Sequence, residues 1–228
     1  MKQNAAESAV SEIQTGMIVG LGTGSTATFA TSALGKRIQQ GLKIIGIPTS
    51  TQTEAQAKSL GIPLSTLDEY QDIDLTIDGA DEVERSTLNL IKGYGGALLR
   101  EKIVEQQARR FIVIADESKI VERLGTGVLP VEVTPFARDV LEKRFAAMGL
   151  APALRLRDGQ PRITDEGHLI LDVLVPAQTD IAETVEAIRA LAGVVETGFF
   201  PTEATEALIA TSQGVRRMTR SDSPVNFL

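Results

Sequence analysis

Cysteine is absent from the 228 residues, and histidine occurs once, as His168. The first absence excludes disulfides, thiolate nucleophiles and Cys-based metal sites. The second leaves no His-pair metal site and no Ser–His dyad away from that one position. No run of about 18 apolar residues exists that would read as a membrane span, and the N-terminus lacks the charged and apolar regions of a signal peptide. A cytoplasmic protein is expected. Positive charge is in deficit: 23 Lys and Arg against 30 Asp and Glu give a net charge of −7. That balance opposes nucleic-acid backbones and acidic membranes as main partners. A small phosphorylated ligand stays compatible, because a few local cations and helix amides decide its binding.

Hydrophobic residues make up 43% and charged residues 23%, enough for a packed core in one large or two modest domains. Apolar residues at Ala5, Ala6, Ala9, Val10 and Ile13 predict a short helix. Met17–Leu21 reads as a strand, followed by the loop Gly20-Leu21-Gly22-Thr23-Gly24-Ser25-Thr26 and a helix to about Leu34. Strand, glycine loop and helix form a phosphate-cradling order in which Ser25 and Thr26 can cap the helix and bond an anion. Gly22-x-Gly24-x-x-Ala27 also fits a loose dinucleotide fingerprint. The acidic residue that fingerprint needs is missing, because the next strand, Lys43–Ile47, ends in Pro48-Thr49-Ser50. Thr51-Gln52-Thr53-Glu54 has capping-box spacing and predicts a helix to Ser59. Further strands are expected at Gly61–Leu64, Asp74–Ile77 and Phe111–Ile114, with a helix over Gly95–Arg109. Alternating strands and helices imply a doubly wound, mostly parallel α/β sheet of Rossmann-like type. Loops past its strand ends, including Ala115-Asp116-Glu117-Ser118-Lys119, should meet along one edge.

From Leu129 the pattern changes. A strand around Val131-Glu132-Val133, a helix over Pro135–Met148, strands at Leu154–Leu156 and His168–Leu174, a helix over Ile181–Leu191 and a strand over Val194–Phe200 give the order βαββαβ. This is a ferredoxin-like α+β unit. The expected division is a catalytic domain of residues 1–128 plus 206–228, with an inserted domain of 129–205. Ala207–Ala210 returns to the first sheet, and Arg216–Leu228 reads as a polar, loosely held tail. His168, at the start of a strand, reads as a turn or edge residue.

The chemistry concentrates between residues 78 and 101. Asp78 and Asp81 end a strand, where turn formation is the ordinary role of Asp. A magnesium site built from Asp74, Asp78, Asp81, Glu82 and Glu84 is a second reading, opposed by Lys92, which would compete for the same carboxylates. Glu101 shares a helix face with Ala97, Val104 and Ala108. A carboxylate against such a face has a raised pKa and suits a general base; a surface Glu paired with Arg100 or Lys102 is the alternative. Lys92 before Gly93-Tyr94-Gly95-Gly96 is a common anion-site arrangement. Tyr94 either stacks on a ligand or covers the loop.

The glycine loop of residues 20–26, Asp78-Gly79-Ala80-Asp81-Glu82, and the stretch Lys92–Lys102 stand in an order and spacing that resembles ribose-5-phosphate isomerase of the A type. The likeness continues through Ala115–Lys119, Leu129–Val133 and Gly193–Val195, over nearly the whole chain. It implies interconversion of D-ribose 5-phosphate and D-ribulose 5-phosphate in the non-oxidative pentose phosphate pathway, without cofactor or metal. It implies Glu101 as the base working through an enediolate. Asp78, Asp81 and Lys92 would surround the sugar hydroxyls, beside Gly79 and Ala80. The Gly93, Tyr94 and Gly95 amides would face the enediolate oxygen. Thr23, Gly24, Ser25 and Thr26 would form the substrate loop, with Lys119 and Lys2 on the phosphate. Such proteins are homodimers or homotetramers. Tyr94 replaces a residue that is often Gly in the family, and altered loop mobility is the expected consequence. The competing readings are a sugar-phosphate deaminase-isomerase or acyl-CoA transferase of related architecture, an isomerase for a related sugar phosphate, and a non-catalytic sugar-phosphate sensor. The first would use a His near its carboxylates, and the sensor an output domain.

Overall fold

The computed structural model describes residues 2–177 and 179–220. The first half of the chain runs α1 (Lys2–Ser11), β1 (Ile18–Leu21), α2 (Ser25–Gln39), β2 (Ile45–Pro48), α3 (Thr51–Ser59), β3 (Leu75–Gly79), β4 (Glu82–Glu84), β5 (Leu90–Ile91), α4 (Leu98–Gln106), β6 (Phe111–Asp116) and β7 (Ile120–Val121). The second half runs β8 (Val128–Val133), α5 (Arg138–Ala147), β9 (Ala151–Leu154), β10 (Leu156–Arg157), β11 (Gln160–Pro161), β12 (Leu169–Leu174), α6 (Ile181–Arg189), β13 (Val194–Thr197), β14 (Phe199–Phe200), β15 (Glu206–Thr211) and β16 (Gly214–Thr219). No helix among the described residues is long and apolar enough to cross a membrane.

The main sheet has six strands in the order β16-β15-β6-β3-β1-β2. Every neighbouring pair is parallel except β15 with β16. Strand periodicity decides what covers each face. Ile112 and Ile114 of β6 join Leu75 and Ile77 of β3 in a core with Ala5, Ala9, Val10 and Leu34 of α1 and α2. The alternate residues Phe111, Val113 and Ala115 face the other way, onto Val83, Leu90 and Phe200 of a small sheet ordered β14-β5-β4-β7. A parallel sheet buried on both faces carries its ligand loops at the carboxyl ends of its strands.

The remaining sheet is antiparallel, ordered β13-β8-β12-β9. Leu129, Val131 and Val133 of β8 and Leu169, Leu171 and Val173 of β12 alternate onto Leu141 and Phe145 of α5 and Val185 and Ile188 of α6. A two-stranded ribbon, β10 with β11, projects from it.

Several elements depart from expectation. The helix after the glycine loop runs five residues past Leu34, to Gln39. Helix α4 starts at Leu98, because Gly96 takes φ +78, a left-handed conformation that closes a turn instead of opening a helix. The residues of Gly61–Leu64 contribute one isolated bridge, Gly46 with Leu64. Leu154–Leu156 divides between β9 and the ribbon strand β10. Val194–Phe200 is two strands in two sheets. Gly198 separates them, with its N–H on Pro130 O at 2.7 Å and its O accepting from Lys92 N at 2.8 Å. Arg216 is not in a loose tail: Gly214–Thr219 is the edge strand β16, held by backbone pairing to β15 and by partly buried Val215 and Met218. The rest of the expected tail, 221–228, lies outside the described residues.

Candidate active site

Strand β1 ends under Gly22, whose N–H donates to Ile77 O at 3.0 Å. The next N–H, of Thr23, donates to Asp78 Oδ1 at 3.0 Å, so the first two loops are tied together. Thr23 Oγ1 is buried in a hydroxyl cluster with Thr49 at 2.7 Å and Ser50 at 2.7 Å. Gly24 caps α2 with φ +108, a conformation that suits glycine. It offers no side-chain cap, and neither Ser25 nor Thr26 caps the helix as expected; both lie inside its first turn. Their amides are therefore open toward an anion, at the positive end of a fifteen-residue helix. Lys2 is the first residue of α1, and its Nζ donates to Ser25 Oγ at 3.1 Å. Lys119 lines the same space.

Strand β3 delivers Asp78, Gly79, Ala80 and Asp81. Asp78 is fully buried. Its Oδ1 accepts from Gly79 N at 2.6 Å as well as from Thr23, and its Oδ2 is 2.9 Å from Lys92 Nζ. Asp78 does not itself line the cavity: its carboxylate is fully buried behind the wall, beside Lys92, whereas the resemblance placed it around the sugar hydroxyls. Asp81 does line the cavity and accepts from Tyr94 N at 2.9 Å. Burial raises its pKa above the ordinary Asp value, against the Tyr94 N–H and the Lys92 charge.

Lys92 follows β5 and is almost wholly buried. Its Nζ donates to Gly79 O at 2.6 Å and lies 3.6 Å from Glu101 Oε2 and 3.1 Å from Glu105 Oε1. The rings of Phe111 and Phe200 are each 5.6 Å away. Burial alone would depress this ammonium. Asp78, Glu101 and Glu105 outweigh burial and hold it well above its usual value.

Glu101 is 3% exposed and looks onto the cavity from the first turn of α4. Burial raises its pKa to about 8; Lys92 opposes the shift, and Asp78 and Asp81 reinforce it. Its helix neighbours have other partners: Arg100 bonds Glu166 at 2.5 Å and Lys102 bonds Glu196 at 2.8 Å.

Glu105 was not expected. The apolar neighbours of Glu101 occupy only part of its helix face, because Glu105 sits four residues on, and i, i+4 spacing was the available signal. Burial pushes its carboxyl well above the ordinary range, and Asp78 beside it acts as hydrogen-bond acceptor in the same direction.

Together Thr23–Thr26, Gly79–Asp81, Lys92–Gly95, Glu101, Lys2 and Lys119 line one cavity of about 200 Å³. Pockets for drug-sized ligands run to roughly 300–1,000 Å³, so this one suits a smaller molecule. A larger groove of about 390 Å³ lies beside Ile103 and Leu64; its charged lining is Glu54, Asp68 and the pair Arg100 and Glu166. Tyr94 covers the loop: its Oη accepts from Val128 N at 3.1 Å. The acids of the magnesium reading go separate ways. Asp74 accepts from Ile18 N at 2.9 Å, Glu82 accepts from the N–H groups of Gly125 and Gly127 at 2.7 and 2.6 Å, and Glu84 accepts from Thr87 Oγ1 at 2.5 Å. His168 pairs with Glu132 at 2.9 Å and does not line the cavity.

Residues 45–214 match the family model described as ribose 5-phosphate isomerase A (phosphoriboisomerase A). The chain is 50% identical over 224 residues to ribose-5-phosphate isomerase A of Synechococcus sp. (strain JA-3-3Ab), covering 97% of each. It is 46% identical over 217 residues to that of Bacillus mycoides (strain KBAB4), covering 95% of this chain and 98% of the relative. Among solved structures it superposes on ribose 5-phosphate isomerase A from Methanocaldococcus jannaschii with a TM-score of 0.91 at 44% identity, covering 96% of this chain and 97% of that one. It is equally similar, with a TM-score of 0.91 at 37% identity and the same coverage, to a D-ribose-5-phosphate isomerase in complex with phospho-erythronic acid.

Proposed function

We propose roles for these residues from one premise: the chain belongs to the ribose 5-phosphate isomerase A family. The protein is an aldose–ketose isomerase that interconverts D-ribose 5-phosphate and D-ribulose 5-phosphate through an enediolate, in the non-oxidative pentose phosphate pathway.

The reaction moves a proton between C2 and C1 of the open-chain sugar. Glu101 takes it from one carbon and returns it to the other. The observation that carries this role is a buried carboxyl facing the cavity with a pKa of about 8, a value at which a base is both available and strong near neutral pH. Lys92 and the Gly95 amide of the 93–95 turn donate to the oxygen on which charge develops. Asp81 exchanges protons with the sugar hydroxyls during ring opening. Asp78 acts behind them, holding Lys92 and Thr23. The open amides of α2, the Ser25 and Thr26 hydroxyls, Lys2 and Lys119 take the phosphate. A ligand of this kind is supported by the phospho-erythronic acid in the related structure.

Residues 1–128 with 206–228 form the catalytic domain on this reading, and 129–205 a ferredoxin-like insertion. The order β13-β8-β12-β9 with α5 and α6 on one face supports the latter, while β14 belongs with the catalytic side. We place the protein in the cytoplasm, as a homodimer or homotetramer. A wholly exposed Phe136 beside exposed Val140 favours self-association, and a monomer by sedimentation velocity would overturn that.

The test is ribose 5-phosphate mixed with the protein in EDTA, followed for ribulose 5-phosphate. Turnover is expected, and Glu101→Gln should lose about 10²–10⁴-fold or more while still binding substrate. Glu101→Gln within a few-fold of the parent would sink the base assignment. Binding without turnover by the parent would move the protein to a sensor.

A further inference from the structure

The turn that follows Lys92 is held from outside the catalytic domain. Gly96 N donates to Gly93 O at 2.9 Å, closing a four-residue turn whose ends, Gly93 and Gly96, have φ +108 and +78. Its middle peptide joins Tyr94 and Gly95. The ribbon of β10 and β11 lies over it. Leu156 pairs with Pro161, and Arg162 N donates to Arg155 O at 3.0 Å, so Arg155 and Arg162 face each other across the ladder. Facing residues project from the same side of a ribbon. Both guanidinium groups land on the turn.

Arg155 Nη1 donates to Gly93 O at 2.5 Å and to Tyr94 O at 3.3 Å; Arg162 Nη2 donates to Gly95 O. All three carbonyls of residues 93–95 are thus drawn toward the ribbon. In a trans peptide the N–H points opposite to its carbonyl, and no cis bond occurs among the described residues. The N–H groups of Tyr94, Gly95 and Gly96 must then point away. That of Tyr94 goes to Asp81, and that of Gly96 to Gly93 O. Gly95 N–H alone of the three has no acceptor among the described residues. Gly93, Tyr94 and Gly95 line the cavity and Arg155 does not, so the turn lies between guanidinium and cavity. The remaining donor belongs to a residue that lines the substrate space.

Arg155 is itself fixed. Its Nε donates to Asp172 Oδ2 at 2.8 Å and its Nη2 to Asp172 Oδ1, a two-pronged pair on β12 with the arginine side chain only 10% exposed. Two adjacent guanidinium groups repel each other. Asp172 and the three carbonyls offset that repulsion, which scattered surface arginines would not need.

We propose that Arg155, braced by Asp172, and with it Arg162, are positioning residues that fix the direction of the 94–95 peptide and so aim Gly95 N–H at the enediolate oxygen. A cation on a peptide carbonyl also polarises that peptide and strengthens its N–H as donor. The proposal rests on the isomerase reading and deepens it, since it gives the smaller domain a part in the chemistry.

The experiment measures turnover of ribose 5-phosphate together with inhibition by two probes. Phospho-erythronic acid presents a carboxylate where the enediolate carries its oxygens, and inorganic phosphate reports only on the other end of the site. For Arg155→Met, kcat should fall about 10²–10³-fold, the usual cost of losing one aimed donor. Inhibition by phospho-erythronic acid should weaken at least tenfold, with KM and phosphate inhibition within about threefold of the parent. Arg162→Met should move the same quantities less. A kcat within about threefold of the parent, or equal weakening of both probes, overturns the proposal. Should Arg155→Met not fold, Asp172→Asn keeps the guanidinium but frees it, and roughly a tenfold loss of kcat with unchanged phosphate inhibition is then expected; an unchanged kcat overturns the clamp. A parent that does not turn over ribose 5-phosphate removes the isomerase reading instead, so the two failures are distinct.

Discussion

Three carboxyl groups and one ammonium share a buried cluster at the back of the cavity: Asp78, Glu101 and Glu105 around Lys92. One ammonium cannot offset three carboxylates in a low-dielectric interior. The chain resolves this by keeping protons. Burial pushes the Glu105 carboxyl well above the ordinary range, which favours a proton held there and shared with Asp78, whose Oδ2 has no hydrogen-bond partner among the described residues. Glu101, which burial pushes to about 8, holds its proton to a higher pH than an ordinary carboxyl does. Glu105→Gln preserves a neutral donor and should keep kcat/KM within about tenfold, with its pH dependence unmoved. Glu105→Ala should cost about 2–4 kcal/mol in denaturant unfolding, for a cavity and unpaired polar atoms. A shift of the pH profile by a full unit in Glu105→Gln would show that Glu105 is ionised. The face of Glu101, with Ala97, Val104 and Ala108, left a buried carboxyl and a paired surface Glu both open, and its burial excludes the second. Glu105 was not legible in the sequence, because a helical Glu reads as solvated. The phenyl rings flanking its Lys92 partner come from Phe111 and Phe200, the latter nearly a hundred residues distant.

At the scale of elements, the site is an assembly of strand ends. The alternation of short apolar strands with helices made the parallel sheet readable, and with it the meeting of the glycine loop, the Asp78–Asp81 run and Lys119. The cap of α3 is one residue earlier than its capping-box spacing implied. Ser50 Oγ accepts from Thr53 N at 3.1 Å, and Thr51 instead bonds Asp165. Because Ser50 Oγ also accepts from Thr23 Oγ1, this cap supports the substrate loop. Ser50→Ala should cost about 1 kcal/mol of stability and raise KM for ribose 5-phosphate a few-fold through Thr23. An unchanged KM would separate the cap from the loop. Strands β4, β5, β7 and β11 were not legible, and β10 and β14 were read only as the ends of longer strands, since two or three residues are too few to display a period of two. Their pairing is decided by what they meet, not by their own pattern.

For the molecule as a whole, the site is a weak point that grows with pH. Burial raises the carboxyls of Glu101, Glu105 and Asp81 above their unfolded values. A raised carboxyl contributes its full stability below the unfolded pKa and loses it as pH climbs toward the folded pKa. For Glu101 that window runs from the ordinary carboxyl value of 4.5 up to about 8. Glu101→Gln should melt several degrees above the parent at pH 8, where about 1 kcal/mol corresponds to 2–4 °C for a chain this size, and level with it near pH 5. The reverse order would mean that an ionised Glu101 stabilises the fold. The central claim is that this same group takes the substrate proton, and the pH dependence of kcat/KM for ribose 5-phosphate tests it most directly. A base of pKa about 8 requires kcat/KM to fall tenfold per unit below that pH in the parent, with no such limb in the residual activity of Glu101→Gln. A parent profile flat down to pH 5, or an unchanged limb in the variant, would contradict it.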